Sequence, residues 1–310
     1  MSKIAFVPLI ALLACVIAYA TVSPRSMGSL AHRVFASGSL ARHSPPGRLE
    51  KLPPITFWAW ERPEDMRYVS PDQAAIAFLA KTIYLHSPSA DGVTGSSAIF
   101  TVRPRLQPLR VPHGVPLIAV IRIESGPEPR SAPAQQFISP LHDFSYSGAQ
   151  RALLAEEVAA LQSLPGISAV QIDFDAPASA HAFYAALLQD VRAKLSPFLP
   201  LSITALASWC IGDRWLDQLP PATIDEAVPM LFRMGPDAAN VANFLHSNGN
   251  FPVAACRGSL GLSTDESLSR DLLTPEYSAT FDARQNRIYI FAPHAWTPSD
   301  AEKILKEWQP

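Results

Sequence analysis

Short apolar runs that end in, or lead directly into, a charged residue or an aromatic ring recur along this chain from Ile55 to Phe291, with helix-compatible stretches between most of them. Strand then helix, repeated, is the pattern of a parallel sheet whose crossovers are helical. The runs are Ile55–Trp60, Ala75–Leu85, Pro116–Glu124, Ala169–Asp175, Leu201–Ser208, Glu226–Phe232, Pro252–Cys256 and Arg287–Phe291. Eight such strands predict an α/β fold, a (β/α)8 TIM barrel. An open doubly wound sheet is the alternative, but its nucleotide-binding form would carry a glycine fingerprint after the first strand. No G-x-G-x-x-G or Walker A string occurs.

Local signals refine this. Ala75–Leu85 fits a helix or a buried strand by periodicity alone. The strand reading is preferred because A-I-F-T-V-R-P-R-L, within 86–115, alternates like a hairpin. This predicts a β-hairpin insertion between strands 2 and 3, with Arg103, Arg105 and Arg110 solvating its edge. Arg62-Pro63-Glu64-Asp65 reads as a short helical turn with proline at an allowed first position. Ser147 with Gln150 predicts a capping box on a helix over 149–164. Further helices are expected over 179–195, 213–219 and 236–246, and after Thr297-Pro298-Ser299-Asp300.

Hydrophobic residues make up 48% of the chain and charged residues 17%, enough apolar surface for one large core. A net charge of -2 argues against a nucleic-acid partner, which calls for a basic face. Lys3 followed by the apolar run Ile4–Val22, with Ala18-Tyr19-Ala20 as a small-x-small site, reads as a signal peptide or N-terminal membrane anchor over 1–20. Leu12-Leu13-Ala14-Cys15 offers lipidation at Cys15 as another reading. Each places the remainder outside the cytoplasm, periplasmic or extracellular, touching a membrane only through that segment. Residues 21–54 read as a Pro/Ser-rich linker and 55–310 as a single barrel domain. Beyond Cys15 only Cys210 and Cys256 remain; buried free thiols are the default and a disulfide the alternative. No C-x-x-C or His/Cys spacing points to zinc, and no cofactor is expected.

The most informative stretch is Ala169–Asp175, A-V-Q-I-D-F-D. On a strand, positions two apart share a face, so Gln171, Asp173 and Asp175 point together. Carboxylates on a buried strand are costly unless paired, hydrated or used, and a barrel keeps its active site at the C-terminal ends of its strands. Residues arriving at those ends include Trp58, Trp60, Glu61, Arg122, Glu124, Asp173, Asp175, Trp209, Arg233, Arg257, His294 and Trp296. Acids with flat aromatic surfaces fit sugar hydrolysis, which needs carboxyl groups around an oxocarbenium-like centre. Asp175, Asp173, Glu124 and Glu61 are therefore the candidate catalytic acids. Trp60, Trp209, Trp296, Arg122 and Arg233 are the candidate substrate-binding residues, and Asp173 is expected to pair with Arg233 or another barrel cation. A metal-dependent hydrolase using Asp173, Asp175 and His294 is a third reading.

Two resemblances bear on function. The strings F-W-A-W-E-R-P-E-D, I-R-I-E, V-Q-I-D-F-D, L-S-I-T-A-L-A-S-W-C, D-E-A-V-P-M-L-F-R-M-G and C-R-G-S-L-G together resemble the bacterial domain-of-unknown-function 3142 family from about Ile55 onward. That family implies no activity. A-V-Q-I-D-F-D is also similar to the fourth-strand motif D-G-x-D-x-D-x-E of chitinase-like family 18 glycoside hydrolases, and L-S-I-T-A and V-P-M-L-F-R-M-G resemble their fifth and sixth strands. This resemblance puts Ala169 in the glycine place, Gln171 and Asp173 in those of the inner aspartates, and Asp175 in that of the acid glutamate. It implies a polysaccharide or glycan ligand and hydrolysis by carboxylate acid catalysis. Because aspartate is one methylene shorter than glutamate, a non-catalytic, degenerate barrel serving as a carbohydrate-binding or envelope-assembly module is the alternative.

Overall fold

The computed structural model describes residues 48–86, 100–126, 144–266 and 287–307. Residues 1–47 are not among these, so the leader, the Cys15 lipidation site and most of the expected linker lie outside the described residues. In chain order the first half contains β1 (Ile55–Ala59), β2 (Glu64–Asp65), β3 (Ala74–Leu85), β4 (Phe100–Pro104), β5 (Leu109–Arg110), β6 (Leu117–Ser125), α1 (Gly148–Ala159) and β7 (Ile167–Asp173). It continues with α2 (His181–Lys194), β8 (Leu201–Leu206), β9 (Glu226–Met230), α3 (Ala238–Asn248), β10 (Ser259–Ser263), β11 (Arg287–Phe291) and α4 (Pro298–Glu307).

Eight parallel strands, β1, β3 and β6 to β11, close into a barrel, because β1 pairs with both β3 and β11. This is the (β/α)8-type fold that the strand–helix alternation predicts. The insertion also lies where expected: β3 runs beyond the barrel and pairs antiparallel with β4, from Lys81 opposite Pro104 to Leu85 opposite Phe100. Strand pairing is uneven around the barrel. β6 and β7 match at six positions ending with Arg122 opposite Asp173, whereas β9 and β10 match only where Gly261 faces Met230.

Period-two alternation divides the apolar residues into two cores. Outward residues such as Phe57, Val170, Ile172 and Ile203 pack with helix residues such as Leu154, Val158, Tyr184 and Leu188. Inward residues form a smaller cluster with Leu52, Trp58, Ala77, Val120, Ala169 and Tyr289. Between these lie buried inward polar groups, Gln171, Ser202, Glu226 and Ser259. Each large aliphatic side chain removed from water contributes about 1.5–3 kcal/mol, so the outer core is the main source of stability. Ser147 caps α1 as predicted: Gln150 N donates to Ser147 Oγ at 3.1 Å, and Ser147 N donates to Gln150 Oε1 at 2.8 Å. Thr297 and Asp300 do the same for α4, with Asp300 N donating to Thr297 Oγ1 at 3.2 Å.

Several expectations are corrected. The seventh barrel strand is Ser259–Ser263, not Pro252–Cys256. Ser259 and Gly261 face the interior while Leu260 and Leu262 enter the outer core, an alternation that the apolar string P-V-A-A-C lacks. Arg257 therefore precedes this strand and donates to the carbonyls of Phe251 and Pro252, away from the mouth. Glu64–Asp65 is not a helical turn: it pairs with Leu109–Arg110 as a parallel ribbon, and the buried Glu64 carboxylate accepts from Arg62 Nε at 2.8 Å and Trp296 N at 2.9 Å. The end of the expected linker belongs to the barrel. Leu52 plugs the interior, and Arg287 donates to the carbonyls of Leu49, Leu52 and Pro53. Glu226, buried nearby, has its carboxyl pushed up by burial, against Arg287 and hydrogen bonds from Tyr289, Ser202 and Ser259.

Cys210 and Cys256 are joined in a disulfide with Cα atoms 5.8 Å apart, instead of remaining free thiols. The bond ties the β8–β9 connection to the segment leading into β10. With its ends 46 positions apart in sequence, chain entropy gives it about 4 kcal/mol at most, and about 2–4 kcal/mol is typical. Cys256→Ser is expected to lower unfolding free energy by about that amount in a denaturant titration. Reductant should shift the wild-type midpoint similarly while leaving the variant unmoved. Gly261→Ala is a second test. A Cβ there would lie 3.2 Å from both the Pro229 carbonyl and Cη2 of Trp58, so it should cost about 1–3 kcal/mol and perturb indole fluorescence.

Candidate active site

The mouth at the strands' C-terminal ends opens into a cavity of about 940 Å³. Its floor is Trp58, carried inward by β1. Trp58 Nε1 donates to Gln171 Oε1 at 2.9 Å, and Gln171 Nε2 donates to Ser202 Oγ at 3.0 Å. The bare Cα of Gly261 leaves room for the far edge of the indole. Both polar ends of Gln171 are thus satisfied inside the barrel, and the indole is held across it.

Asp173 rises above this floor at the end of β7. Register places it beside Arg122, whose Nε is 4.0 Å from Asp173 Oδ2 and 2.7 Å from Glu124 Oε1. Thr204 Oγ1 donates to Asp173 Oδ1 at 2.8 Å. Burial pushes the Asp173 carboxyl up from its ordinary value, against Arg122 and Thr204, with Glu124 adding to the rise. The barrel cation that Asp173 meets is therefore Arg122, not Arg233.

Asp175 also lines the cavity, two residues further out. Its side chain reaches solvent, but the walls around it remove enough hydration that burial, then the charge of Asp173, push its carboxyl up to about 6. Arg122 opposes this shift and Glu124 adds to it. Two neighbouring acids thus differ in setting: Asp173 is anchored by a hydroxyl and a guanidinium, while Asp175 is open and keeps its proton up to about pH 6.

Aromatic rings complete this side. Trp60 lines the cavity with Arg122 lying over its ring, 5.5 Å from the centroid. Phe232 and Phe291 stack with centroids 5.8 Å apart and planes 6° from parallel. Arg233 sits at the lip in a left-handed conformation (φ 58°), its guanidinium bonded to Asp265 at 2.9 Å and 3.9 Å from Glu266. A non-glycine residue held there costs about 1–3 kcal/mol, a kind of strain that concentrates at working sites.

The structure brings Asp173, Asp175, Trp60, Arg122 and Arg233 to the cavity, with Glu124 behind Arg122. It does not bring the other candidates. Glu61 is held by Arg103 of β4 and is not among the lining residues. Trp209 is buried in an outer cluster with His181, Tyr184 and Trp215. Trp296 is buried edge-on to Phe57 and donates Nε1 to the Trp58 carbonyl. Both indoles follow their strand ends, but the chain has already turned outward, so they serve the core. His294 is exposed and 3.9 Å from Asp300, and among the described residues no group of three or more His, Cys, Asp or Glu could hold a metal. His142 and Asp143 lie outside the described residues.

Sequence reasoning missed the second wall. Leu206, Ile211, Met230, Met234 and Phe244 line it with Asp213, Asp237 and Asn240. Strand parity could have found Thr204, Met230 and Phe232, since each lies an even number of residues from an inward position. Ile211, Asp213 and Phe244 come from the β8–β9 connection and α3, where no strand pattern applies.

Raising a folded-state acid's pKa means that its charged form is disfavoured in the fold, so the associated loss of stability is full above that pKa and disappears below the unfolded value. Asp175→Asn is therefore expected to raise the melting temperature at about pH 8. The gain should shrink as pH falls through about 6 toward the ordinary aspartate range, as followed by thermal melts across pH.

Comparison with protein-family models and with curated protein sequences returns no match, so the site stands on its own geometry.

Proposed function

We propose that the barrel mouth binds a polysaccharide or other glycan and hydrolyses a glycosidic bond by carboxylate acid catalysis. The observation that carries this reading is Asp175: a solvent-reachable carboxyl pushed up to about 6, beside the anchored Asp173, in a cavity floored by Trp58 and edged by Trp60. A general acid works best when its pKa lies near the working pH. In this reaction Asp175 gives its proton to the leaving oxygen as the C–O bond breaks. Water adds hydroxide to the anomeric carbon and returns a proton to Asp175. Asp173, oriented by Thr204 and Arg122, faces the developing positive charge or orients the group that does. The similarity of A-V-Q-I-D-F-D to the family 18 glycoside hydrolase motif supports the same assignment. Glu124 acts through Arg122, and the ion pair of Glu61 with Arg103 removes Glu61 from the chemistry.

The Cys210–Cys256 disulfide supports an exported protein, since such bonds persist in oxidising compartments. A binding-only barrel is the second reading, favoured by aspartate standing where the related motif has a longer glutamate. A hydrolysis screen over oligosaccharides and polysaccharides separates the two. On a turned-over substrate, Asp175→Asn is expected to lower kcat by about 10²–10⁴-fold with binding retained, and wild-type activity should fall as pH rises above about 6. Equal activity in the variant would remove the proposal. Glycan binding without product would favour the second reading.

A further inference from the structure

Six apolar side chains of the cavity, Leu206, Ile211, Met230, Phe232, Met234 and Phe244, are only half-buried in the free protein. They lie on β8, β9, their following loops and α3, and Asp173 and Arg122 lie on β7 and β6. A sugar ring laid against aliphatic and thioether groups would leave its hydroxyls unpaired, and each unpaired polar group costs about 1–3 kcal/mol. This wall suits hydrocarbon instead, and its two methionines adapt to a flexible chain.

Charge narrows the ligand further. Four aspartates line the cavity, Asp173, Asp175, Asp213 and Asp237, against two arginines. Both arginines are already engaged by protein carboxylates: Arg122 by Glu124 at 2.7 Å and Arg233 by Asp265 at 2.9 Å. An anionic headgroup would find no uncommitted cation among these lining residues.

Resting on the sugar-cleaving reading above, we infer that the ligand is an amphiphilic glycoside: an uncharged or cationic sugar at Asp173 and Asp175, carrying an alkyl or acyl chain that lies on the Leu206–Phe244 wall. At about 940 Å³ the cavity is at the upper end of small-molecule sites and holds both parts.

Alkyl β-glucosides from methyl to octyl, titrated calorimetrically below their micelle concentrations, test this. Affinity is expected to rise about twofold or more per added methylene, since full burial of a methylene is worth about fourfold. Phe244→Asp should flatten that slope, and Ile211→Asp is the second variant if the first fails to fold by circular dichroism. Octyl sulfate should bind at least about tenfold more weakly than octyl glucoside, because both lining arginines are already bonded to protein carboxylates and four aspartates face the ligand. Affinity independent of chain length, a slope unchanged in the folded variant, or octyl sulfate binding equally well would each overturn the inference. Glycoside hydrolysis without a chain-length slope sinks this inference and leaves the enzymatic reading. A slope without hydrolysis of any glycoside does the reverse.

Discussion

One hydrogen bond divides the barrel into a sealed half and an open half: Trp58 Nε1 to Gln171 Oε1, at 2.9 Å. It fixes an indole across the interior, and everything above it is cavity. The bond depends on constraints at several strands. Gln171 must have its amide nitrogen occupied by Ser202, and β10 must present no side chain at Gly261. The acids then stand over a rigid apolar floor, where water is scarce and carboxylate charge is expensive. The raised pKa of Asp175 follows from that placement more than from any single partner.

Below the indole, the closed half is polar in an unusual way. Glu226, Tyr289 and Arg287 meet under Trp58, and Arg287 also gathers the carbonyls of Leu49, Leu52 and Pro53. A buried acid and base of this kind add little net stability, but removing either partner leaves the other charged and unsolvated. The cluster therefore fixes how the chain enters β1, and with it the height at which Trp58 crosses the barrel.

Fold class was legible because parallel strands buried on both faces must be short, apolar and separated by helix-length stretches. The position of the acids was legible for a related reason: D-F-D ends its run, and strand parity turns Asp173 inward beside Arg122. Errors arose where polarity or aromaticity stood in for geometry. Ser259–Ser263 hides as a strand because three of its five residues are serine or glycine, as the crowded interior around Trp58 requires. Trp209 and Trp296 follow strand ends like Trp60, but only coordinates of the turning chain show that they pack outward. The apolar wall was illegible because Ile211 and Phe244 come from separate connections that meet only in three dimensions.

The uneven strand pairing gives the two sides of the site different mechanical characters. The acids hang from β6 and β7, latched along their length, whereas Met230, Phe232 and Met234 lie beside the seam where β9 and β10 share one matched position. On the proposed reading, a bulky guest would be taken up against the sparsely paired flank, while Asp173 and Arg122 keep the spacing that the β6–β7 register sets.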